Sequence, residues 1–293
     1  MIFKKDTDDV SEDSQYFNQA RGFLTQWVVS PEQALQSQSP RLVFSHVPKT
    51  GGTTLETILA KNYRLSDVLH LNAPEFKHFP EILQLKKNPP GFICGHHPLH
   101  SPLYRNLPAA PVFHLTLLRE PVSRVVSYYN YLRHKTDHPL HPQACDLNLT
   151  DFVKSGASPE LNNGQARRFS GFLHQAPPDD QTLFETARDV LDNCFSLVGT
   201  TSCFDETLLL LHHFLGLSDI FYQRRNQSPQ SVKTGELSEH QRSFIAGHNQ
   251  ADTLLYQFVE TRLNTLISEY LTDSTIHQFQ ESNSQNHQWL TNS

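Results

Sequence analysis

His46-Val-Pro-Lys-Thr-Gly-Gly-Thr-Thr54 gathers the residue types that bind an anion. Glycines let the backbone approach a ligand closely and turn several N–H groups inward, and a helix starting just after them adds partial positive charge. Lys49 supplies a full charge, and Thr50, Thr53 and Thr54 supply hydroxyls around Gly51 and Gly52. The nucleotide-triphosphate loop reads GxxxxGK[ST], with lysine after the glycines and a hydroxyl for magnesium. Here Lys49 precedes Gly51-Gly52 and no GK[ST] occurs, which makes an ATPase or kinase the weaker reading. The bland alternative is a turn that merely starts a helix.

A second stretch begins about 70 residues later: Leu117-Leu-Arg119-Glu-Pro121-Val-Ser123-Arg-Val-Val-Ser127-Tyr-Tyr129. Pro121 suits the first turn of a helix, and Ser123 and Ser127 share one helix face. Arg119 at a strand end, with Ser127 eight residues on, suits a grip on a second phosphate through paired guanidinium hydrogen bonds. Taken alone, such a pair reads as a salt bridge and a cap.

These residues need a scaffold that brings loop ends together. Arg41-Leu-Val-Phe-Ser-His46 has the short apolar run of a buried strand, and residues 55–62 read as a helix. Further strands are predicted at 91–94, 112–118 and 196–199, and helices at 122–134, 148–155, 163–172, 183–193 and 204–215. That alternation predicts an α/β, P-loop-like three-layer fold with a central, mainly parallel sheet flanked by helices. Residues 1–38 read as an N-terminal extension with one helix near 14–28, and residues 39–272 as the domain. Residues 224–236 read as a loop, 238–271 as one or two helices, and 273–293 as a polar, mobile tail.

Composition sets the class. Of 293 residues, 37% are hydrophobic and 18% charged, as in an ordinary soluble protein. A net charge of −6 argues against a general nucleic-acid binder. No apolar run approaches the roughly 20 residues of a membrane helix. The acidic start is no secretory signal, and Cys94, Cys145, Cys194 and Cys203 form no CxxC pair. A soluble cytoplasmic protein is the expectation.

The pair PKTGGTT and LREPVSRVVSYY resembles the sulfotransferases that use 3′-phosphoadenosine 5′-phosphosulfate (PAPS), nearest the carbohydrate 2-O-sulfotransferase branch of heparan and uronyl type. Weaker echoes are Asn163-Gly-Gln-Ala-Arg167, Val198-Gly-Thr with residues 204–211, and Asp252-Thr-Leu-Leu-Tyr256, so the resemblance covers about residues 41–270. It implies that Lys49, Thr50, Gly51, Gly52, Thr53 and Thr54 bind the 5′-phosphosulfate, and Arg119 and Ser127 the 3′-phosphate. The product would be the 3′,5′-bisphosphate (PAP), with Lys49 stabilising its leaving oxygen.

An alcohol acceptor must lose its proton as it attacks sulfur, and a base of near-neutral pKa within hydrogen-bond reach serves best. Of 17 histidines, those in Cys94-Gly-His96-His97-Pro98 follow a predicted strand end, where open α/β sheets bind ligands. The resemblance also implies a base in a Gly-His step there. His96 is the expected base, with His97 second; His46 reads as structural. No HExxH and no zinc spacing of Cys and His occurs, so no metal is expected.

Arg167 and His97 are candidate acceptor contacts, and Arg224-Arg225 with Lys233 form another basic cluster. The resemblance implies that residues 224–234 close over the nucleotide. The acceptor would be a hydroxyl of a glycan, glycolipid or small metabolite; nothing signals the oligomeric state. The eukaryotic members of the resembled family are membrane-anchored in the Golgi, so the expected cytoplasmic location would become the Golgi lumen only if an anchor had been removed. The alternatives are a P-loop nucleotide kinase or NTPase-like enzyme, and a catalytically inactive nucleotide-binding protein.

Overall fold

The computed structural model describes residues 7–36, 40–71, 81–82, 89–97, 99, 102–173, 175–223 and 231–291, the side chains of 7–14, 102, 105 and 286–291 excepted. Strands β1 (Arg41–Ser45), β2 (Val68–Leu71), β3 (Phe92–Gly95), β4 (Val112–Leu118) and β5 (Leu197–Thr200) form one parallel sheet in the order β2-β3-β1-β4-β5. Both faces are covered, which is why the strands read as nearly continuous apolar runs. β4 is buried throughout, His114 and Thr116 included.

The first helices in chain order are α1 (Thr7–Trp27), α2 (Pro31–Gln36), α3 (Gly52–Ala60), α4 (Pro102–Asn106), α5 (Pro121–His134) and α6 (His141–Asp146). α7 (Leu149–Lys154), α8 (Gly164–Ser170), α9 (Asp180–Cys194), α10 (Phe204–Leu215), α11 (Glu239–Gly247), α12 (Gln250–Tyr270) and α13 (Asp273–Thr291) follow. Alternate strand residues feed opposite cores. Val43 and Ile93 pack with α1, α9 and part of α12, whereas Leu42, Phe44 and Phe92 pack with α3, α10 and Phe279 of α13. A smaller cluster joins α5, α6, α7 and α11. The three-layer α/β architecture expected from the sequence is present.

Three departures are instructive. The sequence reading missed β2, a four-residue edge strand whose only sheet partner among the described residues is β3. Residues 273–291 are no mobile tail: they form α13, with Phe279 stacked on Phe221 and Asn283 Oδ1 accepting the Tyr222 N–H at 2.9 Å; residues 292–293 of the expected tail lie outside the described residues. A few apolar residues at helical spacing suffice to dock an otherwise polar segment. Likewise the N-terminal extension is part of the packed body, because Phe17, Ala20 and Leu24 on one face of α1 are buried. Of the loop expected over 224–236, residues 224–230, Arg224 and Arg225 among them, lie outside the described residues; Thr234–Glu236 form a short 3-10 turn, and Lys233 pairs with Glu236 at 3.2 Å.

Candidate active site

β1 and β4 are neighbours, yet the chain leaves β1 toward β3 and β2 and leaves β4 toward β5. That reversal opens a crevice at the carboxyl ends of the two strands. The loop after β1 fills one side of it. Lys49 has a φ of 70° and Gly51 a φ of 85°, and this turn leads directly into α3. Gly51 is the N-cap and makes no side-chain cap. Among the described residues no acceptor meets the Gly51, Gly52 or Thr53 N–H. Unpaired amides at a helix start, beside a lysine, have the chemistry to accept an anion. A Cβ on Gly52 would fall 2.0 Å from His46 Cδ2, so only glycine lets that ring lie against the loop.

The second stretch meets the first. Arg119 Nη1 donates to the Lys49 carbonyl at 3.4 Å, although the two are 70 positions apart. Lys49, Gly51, Gly52, Thr53, Thr54, His96, Arg119 and Ser127 all line one cavity of about 590 Å³. Lys49 Nζ lies 4.4 Å from the Tyr131 ring centroid, and burial, then Arg119, push its pKa down. Glu120 accepts the Val122 and Ser123 N–H groups at 2.9 and 2.7 Å, so those amides of α5 are already capped. Arg119 and Ser127 are the groups of this stretch that line the cavity.

Thr50 needs correction. Its side chain is fully buried and Oγ1 donates to the Val47 carbonyl at 2.8 Å, which shapes the turn and turns the hydroxyl away from the cavity. His97 is corrected too: the ring is buried among Ser45, Tyr104 and His114, and that burial pushes its pKa to about 3. Arg167 spends its guanidinium on the Asn162, Phe172 and Gln175 carbonyls and on Asn162 Oδ1, outside the cavity. These side chains support structure.

His96 is exposed to the cavity on one side and enclosed on the other. Its Nδ1 lies 2.9 Å from the His46 carbonyl, an acceptor, so Nδ1 carries the proton and Nε2 of the neutral ring keeps its lone pair. Burial of the ring, then the neighbouring His46, hold its pKa down to about 4. The His46 ring sits 4.1 Å from that of His96 and its Nδ1 meets Glu56 Oε1 at 3.1 Å. His46 thus lines the cavity and backs His96, beyond the structural part read for it.

Sequence reasoning also missed Tyr128, Tyr131, His138 and Glu160, which complete the wall. Only the tyrosines carried a local signal, following Ser127 on the same helix. Glu160 is held by Arg124 Nη1 at 2.7 Å and by Arg168. Burial alone would raise its pKa, but the two guanidinium groups pull it to about 2. The weaker sequence echoes turn out to be braces. Asp252 accepts the Gln165 and Ala166 N–H groups at 3.2 and 2.7 Å, and Gln165 clamps the Arg119 backbone at both N–H and carbonyl, each at 2.9 Å. Thr201 Oγ1 donates to the Thr50 carbonyl at 3.0 Å, tying the β5 end to the first loop.

Galactose-3-O-sulfotransferase 3 of Bos taurus is 25% identical over 253 residues, covering 76% of this chain and 57% of its own. Heparan sulfate 2-O-sulfotransferase 1 of Homo sapiens is 25% identical over 238 residues, covering 72% and 65%. The chain therefore spans less than two thirds of the length of either relative. Both names carry glycan acceptors, and the sequence resemblance puts such enzymes in the Golgi lumen; the expected cytoplasmic location is corrected on that ground. Among the described residues no helix is long and apolar enough to cross a membrane. A sulfotransferase of Alicyclobacillus acidocaldarius superposes loosely, with a TM-score of 0.43 and 14% identity over 76% of this chain and 97% of that one. The family model described as galactose-3-O-sulfotransferase matches residues 23–278, spanning both anion loops, the His96 strand end and the braces behind them, and this chain belongs to that family.

Proposed function

We propose that this chain transfers a sulfuryl group from PAPS to a hydroxyl of a glycan. The observation that carries the reading is the opening of both anion grips and of His96 onto one cavity. The open amides of Gly51, Gly52 and Thr53 and the space kept clear by Gly52 suit a 5′-phosphosulfate, and Arg119 with Ser127 suits a 3′-phosphate. PAPS supplies the sulfuryl group and, in its bisphosphate, the leaving group.

The chain's own residues do the rest. His96 Nε2 accepts the proton of the acceptor hydroxyl as the new sulfur–oxygen bond forms. With a pKa near 4 the ring is neutral at pH 7, the state a base requires. A bound polyanion next to the ring favours its protonated form and raises that pKa toward the working range. Lys49 Nζ, released from Tyr131, neutralises charge developing on the leaving oxygen, while the loop amides stay fixed as preorganised donors. The carbohydrate relatives support a glycan acceptor.

The test uses the full chain. Adenosine 3′,5′-bisphosphate should raise the melting temperature in chelator, where magnesium is absent, and ATP should not. Radiolabelled PAPS should then pass its label to an oligosaccharide from a panel carrying galactose or uronic acid, and His96→Ala should abolish the transfer while keeping bisphosphate binding. Stabilisation by ATP with magnesium alone would move the chain to the kinase class. Bisphosphate binding with no label transferred to any acceptor would leave a binding protein.

A further inference from the structure

Behind the His96 wall lies a second cluster that the proposed transfer does not use. His70 and Cys94 face each other in register across β2 and β3, and Glu56 comes down on them from α3. One ligand atom from each lies within 4.8 Å of the other two. Glu56 Oε2 is 3.3 Å from His70 Nε2, and its other oxygen takes His46 Nδ1 at 3.1 Å. Cys94 is buried, whereas the His70 side chain is 47% exposed at the sheet edge.

We propose that Glu56, His70 and Cys94 form a binding site for a thiophilic divalent cation of the Zn²⁺ class. The donor set is one thiolate, one imidazole and one carboxylate, which suits zinc or cobalt and not the all-oxygen preference of magnesium or calcium. Ligands at zinc bond lengths of roughly 2.0–2.3 Å stand about 3.3–3.6 Å apart around a tetrahedron. The carboxylate–imidazole spacing of 3.3 Å already meets that value, and the Cys94 sulfur lies within 4.8 Å of both, a gap that turning the Glu56 and His70 side chains toward it closes. Binding expels the Cys94 thiol proton to solvent, and the open edge beside His70 leaves the fourth position to water. The His46–Glu56 contact orients the carboxylate from behind, as outer partners do in metal sites. The three ligands come from three elements at irregular spacing, so no sequence motif announces them.

The probe is Co²⁺ added to the untagged full chain after chelator treatment and gel filtration. One equivalent should give a near-ultraviolet thiolate-to-cobalt band with visible bands of tetrahedral strength, and one equivalent of Zn²⁺ should bleach them. Cys94→Ser should lose the near-ultraviolet band, and His70→Ala, at an exposed position that leaves the core intact, should weaken or abolish the visible ones. A double variant with Cys145→Ser and Cys203→Ser should keep the full spectrum. Absence of a thiolate band, its survival in Cys94→Ser, or its loss in the double variant would overturn the site. None of these readouts depends on sulfate transfer, so the two proposals fail separately.

Discussion

Lys49 combines a left-handed backbone with a half-buried charge, and both cost stability. A non-glycine residue at a φ of 70° carries about 1–3 kcal/mol of strain. Its ammonium is pushed toward neutrality by burial and by Arg119, and rests on the Tyr131 ring. Under the proposed transfer, those costs are offset by what the charge does at the leaving oxygen. Lys49→Ala should therefore lower kcat by about 10²–10³, the loss seen when one preorganised donor is removed, with acceptor KM little changed. Lys49→Gly should be equally slow yet melt higher than the alanine variant, since glycine tolerates this backbone. Equal turnover in wild type and both variants would remove Lys49 from the chemistry. Glu160 is the opposite case, a carboxylate over-stabilised by Arg124 and Arg168. Its pKa is about 2 in the fold against 4.5 ordinarily, so the stability it contributes is present above the ordinary value and is lost as pH falls through about 2. Glu160→Gln leaves the fully buried Arg124 without its counter-charge and should cost about 3–5 kcal/mol, with a flatter acid limb in melting temperature against pH.

At the scale of elements, the start of α3 is set by two glycines with different duties. Gly51 needs its left-handed φ of 85°, but a Cβ there meets nothing nearer than 3.8 Å. Gly52 has an ordinary backbone, yet a Cβ would collide with His46 at 2.0 Å. Gly51→Ala should thus cost about 1 kcal/mol of strain and leave the site's shape intact. Gly52→Ala should displace the His46 ring, which lies 4.1 Å from that of His96, so both bisphosphate affinity and transfer should fall; melting curves and calorimetric titration distinguish the two outcomes. The comparison also explains what could be read from sequence. Turn chemistry is local, so Lys49, the glycines, Arg119, Ser127 and the Gly-His step were legible with the strands that carry them. Thr50 was misread because the direction of one hydroxyl depends on the turn it closes with Val47. His138 and Glu160 reach the cavity by packing, and β2 and α13 were hidden because brevity or polarity masked their few buried residues.

Across the whole molecule, the position of Arg119 depends on residues that do not line the cavity. Asp252, fully buried in α12, anchors the first amides of α8, and α8 carries Gln165, whose amide holds both backbone groups of Arg119. Three segments that are remote in sequence therefore fix the backbone from which the Arg119 side chain extends. Asp252→Ala leaves two buried N–H groups without an acceptor, each costing about 1–3 kcal/mol, and frees α8 to drift from the β4 end. Because Arg119 is assigned to the 3′-phosphate, the variant should bind adenosine 3′,5′-bisphosphate several-fold more weakly. Its affinity for adenosine 5′-phosphate, which lacks that group, should change little. Calorimetry on the two nucleotides supplies the test. An equal loss for both would mean that the brace holds the cavity as a whole, and the division into a 5′ grip at the α3 start and a 3′ grip at Arg119 would have to be abandoned.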